Sequence, residues 1–427
     1  MNVYLSGDIM ADLTALLERC LKYRHVFIYG DGEVGRLLRV YLHEQNIEAA
    51  GFITTFAPKR KKLMNLPVWE LTELAGDKSG MFVIVCMHKK WWDDAASRMK
   101  SNGLDNYEII DDNLRREVEE KVQFKDIYED VEHKINVLLY HRVEDIKTSY
   151  SIIVGRKNFE EQIKYISSNY RVLRCDEDWG DIKEKSVALT FDDGYVDFYT
   201  EVLPILKKYK VPATVFVATA GIDNSKEFWW DELENILSQR DLPEVLRTKR
   251  EKYSLKDYSS RAEMILDIRN DVIDNNYLER DEEIKALRAQ VKPFLSNRDR
   301  YRTMNEEELK LLAEEPLITI GAHTINHIRC DKESYDVQMR EIKESKIILE
   351  GIINKDIDLF AYPNGDIGKD TRMILKELGF NRAFTCEHAC IDYDKDRFDI
   401  PRSAVLNWDS SQLERKFRGM WQTSKDI

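Results

Sequence analysis

The chain has 427 residues, enough for two or three domains that each bury a core of their own. Hydrophobic residues make up 43% and charged residues 33%, which excludes a disordered chain. The formal net charge of −13 argues against broad contact with nucleic acid or an anionic lipid surface.

The first twenty residues place acids among apolar side chains without a basic head, so no secretory signal is expected. No apolar run reaches the roughly 20 residues that span a bilayer. Together these give a cytoplasmic location as the expectation. Six cysteines (Cys20, Cys86, Cys175, Cys330, Cys386 and Cys390) are scattered without a CxxC pair, and reduced thiols are expected.

In chain order, a helix is expected at Ala11 to Leu21. The apolar run His25 to Tyr29 then leads into Gly30-x-Gly32-x-x-Gly35, which opens a helix to about His43. Ala49 to Thr54 and Met81 to Met87 read as buried strands, Trp91 to Ser101 as a helix and Tyr107 to Ile110 as a short strand. This α/β alternation predicts a Rossmann-like parallel sheet domain over residues 1–115. Glycines at a helix N-terminus suit a phosphate, so Gly30, Gly32 and Gly35 are candidate contacts for a nucleotide or nucleotide sugar. They serve equally well as a tight helix–strand turn. NAD is disfavoured, because the next strand ends Phe52-Ile53-Thr54-Thr55, followed by Lys59, Arg60, Lys61 and Lys62, with no acid for the ribose.

Residues 116–134 are highly charged and are expected to form a helical connector. From 135 to 427 strands and helices alternate again. Strands are expected at Ile135 to Tyr140, Val187 to Phe191, Ala213 to Ala218, Ile318 to Gly321 and Leu359 to Tyr362. Helices are expected at Phe159 to Asn169, Phe198 to Tyr209 and Thr371 to Leu378. Such repeats suit a (β/α) barrel whose ligand groups sit at the C-terminal strand ends. A charge-rich stretch at about 223–304 has little strand signal and reads as a helical insertion. Its Phe228-Trp229-Trp230 either packs the insertion onto the barrel or stacks on sugar rings, and Trp408 carries the same two readings. The tail Leu413 to Trp421 is mildly amphipathic. It either docks onto the domain or makes peripheral contact with a membrane or partner.

Three strand ends carry chemistry. Thr190-Phe191-Asp192-Asp193-Gly194 delivers adjacent carboxylates, one able to ligate a metal while the other stays free as a base. His323-Thr324-Ile325-Asn326-His327 sets two imidazoles four apart, on one face if the chain turns helical there. Two histidines and an aspartate suit a catalytic zinc with open positions for water. Tyr362-Pro363-Asn364-Gly365 is a turn whose outward N–H groups could serve an oxyanion. Cys386-x-His388-x-Cys390 offers three ligands at poor spacing and reads as structural.

Together these segments resemble the polysaccharide deacetylases, carbohydrate esterase family four, over about Ile135 to Asp409. The resemblance implies a distorted (β/α) barrel and hydrolysis of an N-acetyl group on a saccharide of a surface polysaccharide or glycolipid. It implies Asp192 as general base, and Asp193, His323 and His327 as ligands of a divalent metal. Zinc is the first choice; cobalt, nickel, manganese and iron suit the same ligands. The Asn364 N–H is implied as oxyanion donor. Ala361 stands where the family usually carries arginine, and no late Leu-x-His motif follows Tyr362. The opening strand Val137-Leu138-Leu139-Tyr140-His141-Arg142-Val143 resembles the circularly permuted branch that includes poly-N-acetylglucosamine deacetylases. That resemblance makes His141 the candidate acid. Separately, Arg402, in Ile400-Pro401-Arg402, is the candidate to replace the missing arginine near the base. The competing readings are another C–N amide hydrolase on this fold and a non-catalytic sugar- or nucleotide-binding protein.

Overall fold

A computed structural model describes residues 13–421, apart from 57, 59–60, 65, 75–77, 88, 123–134, 146–151, 181, 183, 224–225, 259, 295–297 and 392–395. Most of the expected connector therefore lies outside the described residues, as do Lys59 and Arg60. The chain divides into two compact units, Met1–Asp130 and Val131–Lys425.

The first unit runs α1 (Leu13–Cys20), β1 (His25–Tyr29), α2 (Glu33–Glu44), β2 (Ala49–Thr54), β3 (Lys62–Leu63), β4 (Leu66–Glu70), β5 (Met81–Val85), α3 (Trp92–Ser101), β6 (Tyr107–Ile109) and α4 (Asp112–Lys121). The strands order as β3-β4-β2-β1-β5-β6, parallel except for β3 against β4. β5 is buried at every position, as a strand covered on both faces must be. Asp111 caps α4 by accepting from the N–H groups of Asn113 and Leu114. Leu114 and Val118 then pack into this unit's core, so the helix that overlaps the expected connector belongs to the first unit.

The second unit begins with β7 (Ile135–Tyr140), β8 (Arg142–Val143), β9 (Ile153–Val154), α5 (Arg156–Asn169), β10 (Arg171–Leu173), β11 (Ser186–Phe191), α6 (Leu203–Tyr209) and β12 (Ala213–Val217). Then come α7 (Trp229–Leu237), β13 (Val245–Arg247), β14 (Lys252–Ser254), α8 (Arg261–Ile273), α9 (Tyr277–Ala289), α10 (Glu306–Ala313) and β15 (Ile318–Ala322). It ends with α11 (Tyr335–Ile353), β16 (Leu359–Ala361), α12 (Thr371–Glu377), β17 (Arg382–Phe384), β18 (Ser403–Ala404) and α13 (Ser410–Met420).

The main sheet orders as β17-β16-β15-β12-β11-β7-β18, with β10 also on β11, and every pair is parallel. β7, β11 and β12 are buried throughout. The sheet curls into a distorted, incomplete barrel. Ile400 bridges Phe384 of β17, and three residues later Ser403 registers with Leu138 of β7. Parallel strands bring their C-terminal ends to one mouth, where the candidate residues gather.

The insertion holds α7, α8 and α9, as expected, and also the β13–β14 hairpin, which its charge-rich sequence concealed. Two apolar residues, Leu246 and Tyr253, pair across that hairpin and are buried in the insertion's own core. Trp229 and Trp230 join the same core, with Tyr195 of the barrel. The tail helix α13 buries Leu413 and Phe417, and Trp421 just beyond it, in the barrel core. Its apolar face is therefore occupied, in keeping with the docked reading of the two that the sequence allowed. Among the described residues, no helix is long and apolar enough to cross a membrane.

Candidate active site

β11 ends on the two adjacent carboxylates, and the backbone sends them to different tasks. The Asp192 N–H donates to the Tyr140 carbonyl, which prolongs the β7–β11 ladder by one residue. The chain then turns through the left-handed region at Asp193 (φ 76°) and Gly194 (φ 78°). A Cβ at Gly194 would come within 2.9 Å of a Val217 methyl, so only glycine fits.

Asp192 faces Arg402, which is fully buried two residues past the Ile400 bridge. The guanidinium grips both carboxylate oxygens at 2.7 Å and donates from Nε to the Thr385 carbonyl at 2.7 Å. Burial alone would raise the Asp192 pKa. Arg402, with His323 and His141, reverses this and holds the carboxyl below its usual range. An arginine from late in the chain, rather than one at position 361, thus pairs with Asp192.

Asp193 faces the two histidines. His323 follows β15 and donates from Nδ1 to the Ala361 carbonyl at 2.8 Å, so Nε2 is the nitrogen left toward Asp193. Asp193 Oδ1 lies 3.6 Å from His323 Nε2 and 3.4 Å from His327 Nε2. The expected helical arrangement of the pair is not found. Thr324 (φ 62°) and His327 (φ 50°) are both left-handed, and this turn folds the second ring back to 4.9 Å from the first. Such strain persists only where surroundings enforce it.

The surroundings do so from two helices. Glu341 of α11 accepts from the N–H groups of Ile325 and Asn326 at 3.2 and 2.8 Å and from the Asn326 amide at 2.7 Å. Arg280 of α9 donates to the carbonyls of Asn326 and His327 at 2.9 and 3.1 Å. His327 Nδ1 has no hydrogen-bond partner among the described residues. Its ring is held instead by the edge of Trp230, 4.7 Å away, whose Nε1 donates to the Tyr195 hydroxyl at 2.7 Å. That hydroxyl donates in turn to Asp231 at 2.5 Å.

The cluster fits a divalent metal. One ligand atom from each of Asp193, His323 and His327 lies within 4.8 Å of the others, and among the described residues this is the one such group. The separations of 3.4 and 3.6 Å approach the edge of a tetrahedron, about 3.3 Å for bonds of about 2.0–2.1 Å. Asp193 Oδ1 is buried without a hydrogen-bond partner, which a cation would supply. Burial, then the charges of Asp192 and Asp231, push the Asp193 pKa well up, and burial pulls both histidines down. Neutral imidazoles are the form that ligates metal.

His141, directly after β7, is half-buried. Burial pulls its pKa down to about 4 against the opposing charge of Asp192, and its place directly after Tyr140, which registers with Phe191 of β11, puts it at the same mouth. Asn364 is exposed and left-handed (φ 57°), in the turn after the strand whose Ala361 carbonyl accepts from His323.

Gly30, Gly32 and Gly35 belong to the first unit. A Cβ at Gly35 would stand 2.1 Å from the Gly30 carbonyl oxygen, so close packing accounts for Gly35. Cys386 meets Arg402 through its sulfur at 3.7 Å, and Cys390 lies in the barrel core. Among the described residues neither joins a group of three ligands. Arg280 and Glu341 escaped sequence reasoning altogether. Nothing in their local sequence separates them from other charged helix residues.

The polysaccharide deacetylase family model matches residues 180–246 and 281–383. The unmatched 247–280 falls inside the insertion. The chain is 24% identical over 289 residues to a poly-beta-1,6-N-acetyl-D-glucosamine N-deacetylase of Staphylococcus epidermidis, covering 63% of this chain and 78% of the relative. It is 22% identical over 272 residues to the enzyme of that name from Staphylococcus aureus, covering 62% and 72%. The solved Streptococcus pyogenes deacetylase PplD in complex with acetate aligns with a TM-score of 0.42 at 20% identity, over 67% of this chain and 98% of that one. Asp192, Asp193, His323 and His327 all lie inside the matched segments, and the second unit carries a polysaccharide deacetylase domain.

Proposed function

We propose that this protein removes N-acetyl groups from a hexosamine glycan by metal-dependent hydrolysis, as a step in making a bacterial surface polysaccharide. The names of the staphylococcal relatives make a β-1,6-linked N-acetylglucosamine polymer the first substrate to test. One observation carries the reading: two adjacent buried carboxylates, one locked ionised by Arg402, the other within ligand distance of two histidines.

A divalent ion on Asp193, His323 and His327 would polarise the acetyl carbonyl and lower the pKa of the attacking water; zinc suits the set best. Asp192, kept ionised, accepts a proton from that water as its oxygen joins the carbonyl carbon. The Asn364 N–H donates to the oxygen that gains charge. His141 then delivers a proton to the nitrogen as the C–N bond breaks, because an unprotonated amine leaves poorly. Burial keeps the resting imidazole neutral, so its proton arrives during turnover, passed on from the one Asp192 has taken. Acetate and a free amino sugar result.

The test is acetate release from a panel of N-acetylhexosamine oligomers by metal-depleted protein, before and after zinc or cobalt is restored. Release only with metal is expected. No release from any oligomer with zinc, cobalt, nickel, manganese or iron would overturn the assignment.

A further inference from the structure

Beside the metal cluster the insertion builds a cleft of ≈ 360 Å³ against the barrel. This is within the order of size that takes a small ligand, about 300–1,000 Å³. Its barrel wall includes Gly221, Ile325 and Asn326, and the latter two immediately precede the ligand His327. Its other wall comes from the insertion: Phe228 and Trp229, with Arg280, Asp281 and Lys285 of α9.

The lining has the chemistry of a site for a polyhydroxylated ring. Thr303 lines it, is 2% exposed, and its hydroxyl has no partner among the described residues. A buried hydroxyl without a partner is costly, and a bound donor or acceptor would remove that cost. A Cβ at Gly221 would lie 2.8 Å from that oxygen, so glycine leaves the space before it open. The Thr303 hydroxyl and charged groups offer donors and acceptors, and the half-buried Phe228 offers an aromatic ring. Three cationic lining residues (Lys226, Arg280, Lys285) stand beside three acidic ones (Glu227, Glu232, Asp281), so the lining itself carries no formal net charge. Phe228 links the cleft to the reaction. It lines the cleft while its ring lies 6.3 Å from that of His327.

We propose that this cleft is a binding subsite for an uncharged sugar unit of the glycan, adjacent to the unit being deacetylated. The inference rests on the glycan reading given above and extends it. The insertion makes the enzyme prefer a chain over a single sugar, and it does so through α9, whose first residues fall in the stretch the family model leaves unmatched.

The test uses the full chain with metal bound and β-1,6-linked N-acetylglucosamine oligomers from one to six units. The variant is Lys285→Trp, an exposed α9 position whose enlarged side chain would block the cleft mouth. Wild type should show kcat/KM rising at least tenfold from monomer to hexamer. Lys285→Trp should remove most of that rise through KM, so that the hexamer loses far more than the monomer. An unaltered length dependence in Lys285→Trp, or equal loss on monomer and hexamer, would overturn the subsite. A second measurement separates this from failure of the deacetylase reading: hexamer binding to Asp192→Asn protein by calorimetry, with and without Lys285→Trp. Binding weakened at least fivefold by Lys285→Trp supports the subsite even if no acetate is ever released. Hexamer binding that the substitution leaves intact overturns it, whatever the activity.

Discussion

At the scale of single residues, the site depends on treating two identical side chains differently. Asp192 stays in the strand ladder and is paired with Arg402; Asp193 is turned out through a left-handed backbone toward His323 and His327. Asp192→Asn keeps the shape and the neighbouring side chains but removes the proposed proton acceptor. Acetate release should fall by about 10²–10⁴-fold, the usual worth of a general base, while zinc content by atomic absorption stays at wild-type level. Normal turnover in this variant would remove Asp192 from the reaction. Arg402→Met tests the partner by sign. Burial by itself raises the Asp192 pKa, and Arg402 is the largest influence lowering it. Without Arg402 the base is protonated over more of the acid range, so the acidic limb of the kcat/KM profile should move to higher pH. An acidic limb that stays in place would mean the ion pair does not set the state of the base.

At the scale of elements, the sequence was most legible where a strand ends on reactive side chains. Apolar runs at 135–140, 187–191, 213–218, 318–321 and 359–362 each became strands of the barrel, because continuous burial on both faces leaves a clear signature. The residues after them were legible because carboxylates and imidazoles rarely follow such strands without a task. The loop between the histidines was not. Its left-handed turns at Thr324 and His327 are imposed by Glu341 and Arg280, 14 residues downstream and 47 upstream of His327, and sequence spacing carries no trace of such clamps. The β13–β14 hairpin was hidden for a related reason: short strands with charged outer faces look like helix surface. Arg280→Met leaves the Asn326 and His327 carbonyls without their donor but retains much of the apolar stem. Metal affinity, measured by chelator competition with cobalt, should drop by about 10–100-fold, as for other supports of metal ligands. Affinity within twofold of wild type would show that Glu341 and Trp230 suffice to hold the loop.

At the scale of the whole molecule, two units with separate cores imply two folding events. The first unit packs α2 and α4 on a six-stranded sheet, and the second buries its barrel core and the insertion core; none of these clusters mixes residues from both units. Domains built this way can unfold as separate units, so a calorimetric scan should resolve two transitions. The proposed metal cluster lies wholly in the second unit, and a ligand stabilises only the fold that binds it. At free metal of about a thousand times Kd that stabilisation is about 4 kcal/mol. Chelation should therefore lower the transition of the second unit by several degrees and leave that of the first where it was. The assignment of the moving transition follows from size: the second unit, at more than twice the length of the first, should carry the larger unfolding enthalpy. If chelation shifts the smaller transition instead, the cation is held by the first unit, and the Asp193–His323–His327 cluster is not where it binds.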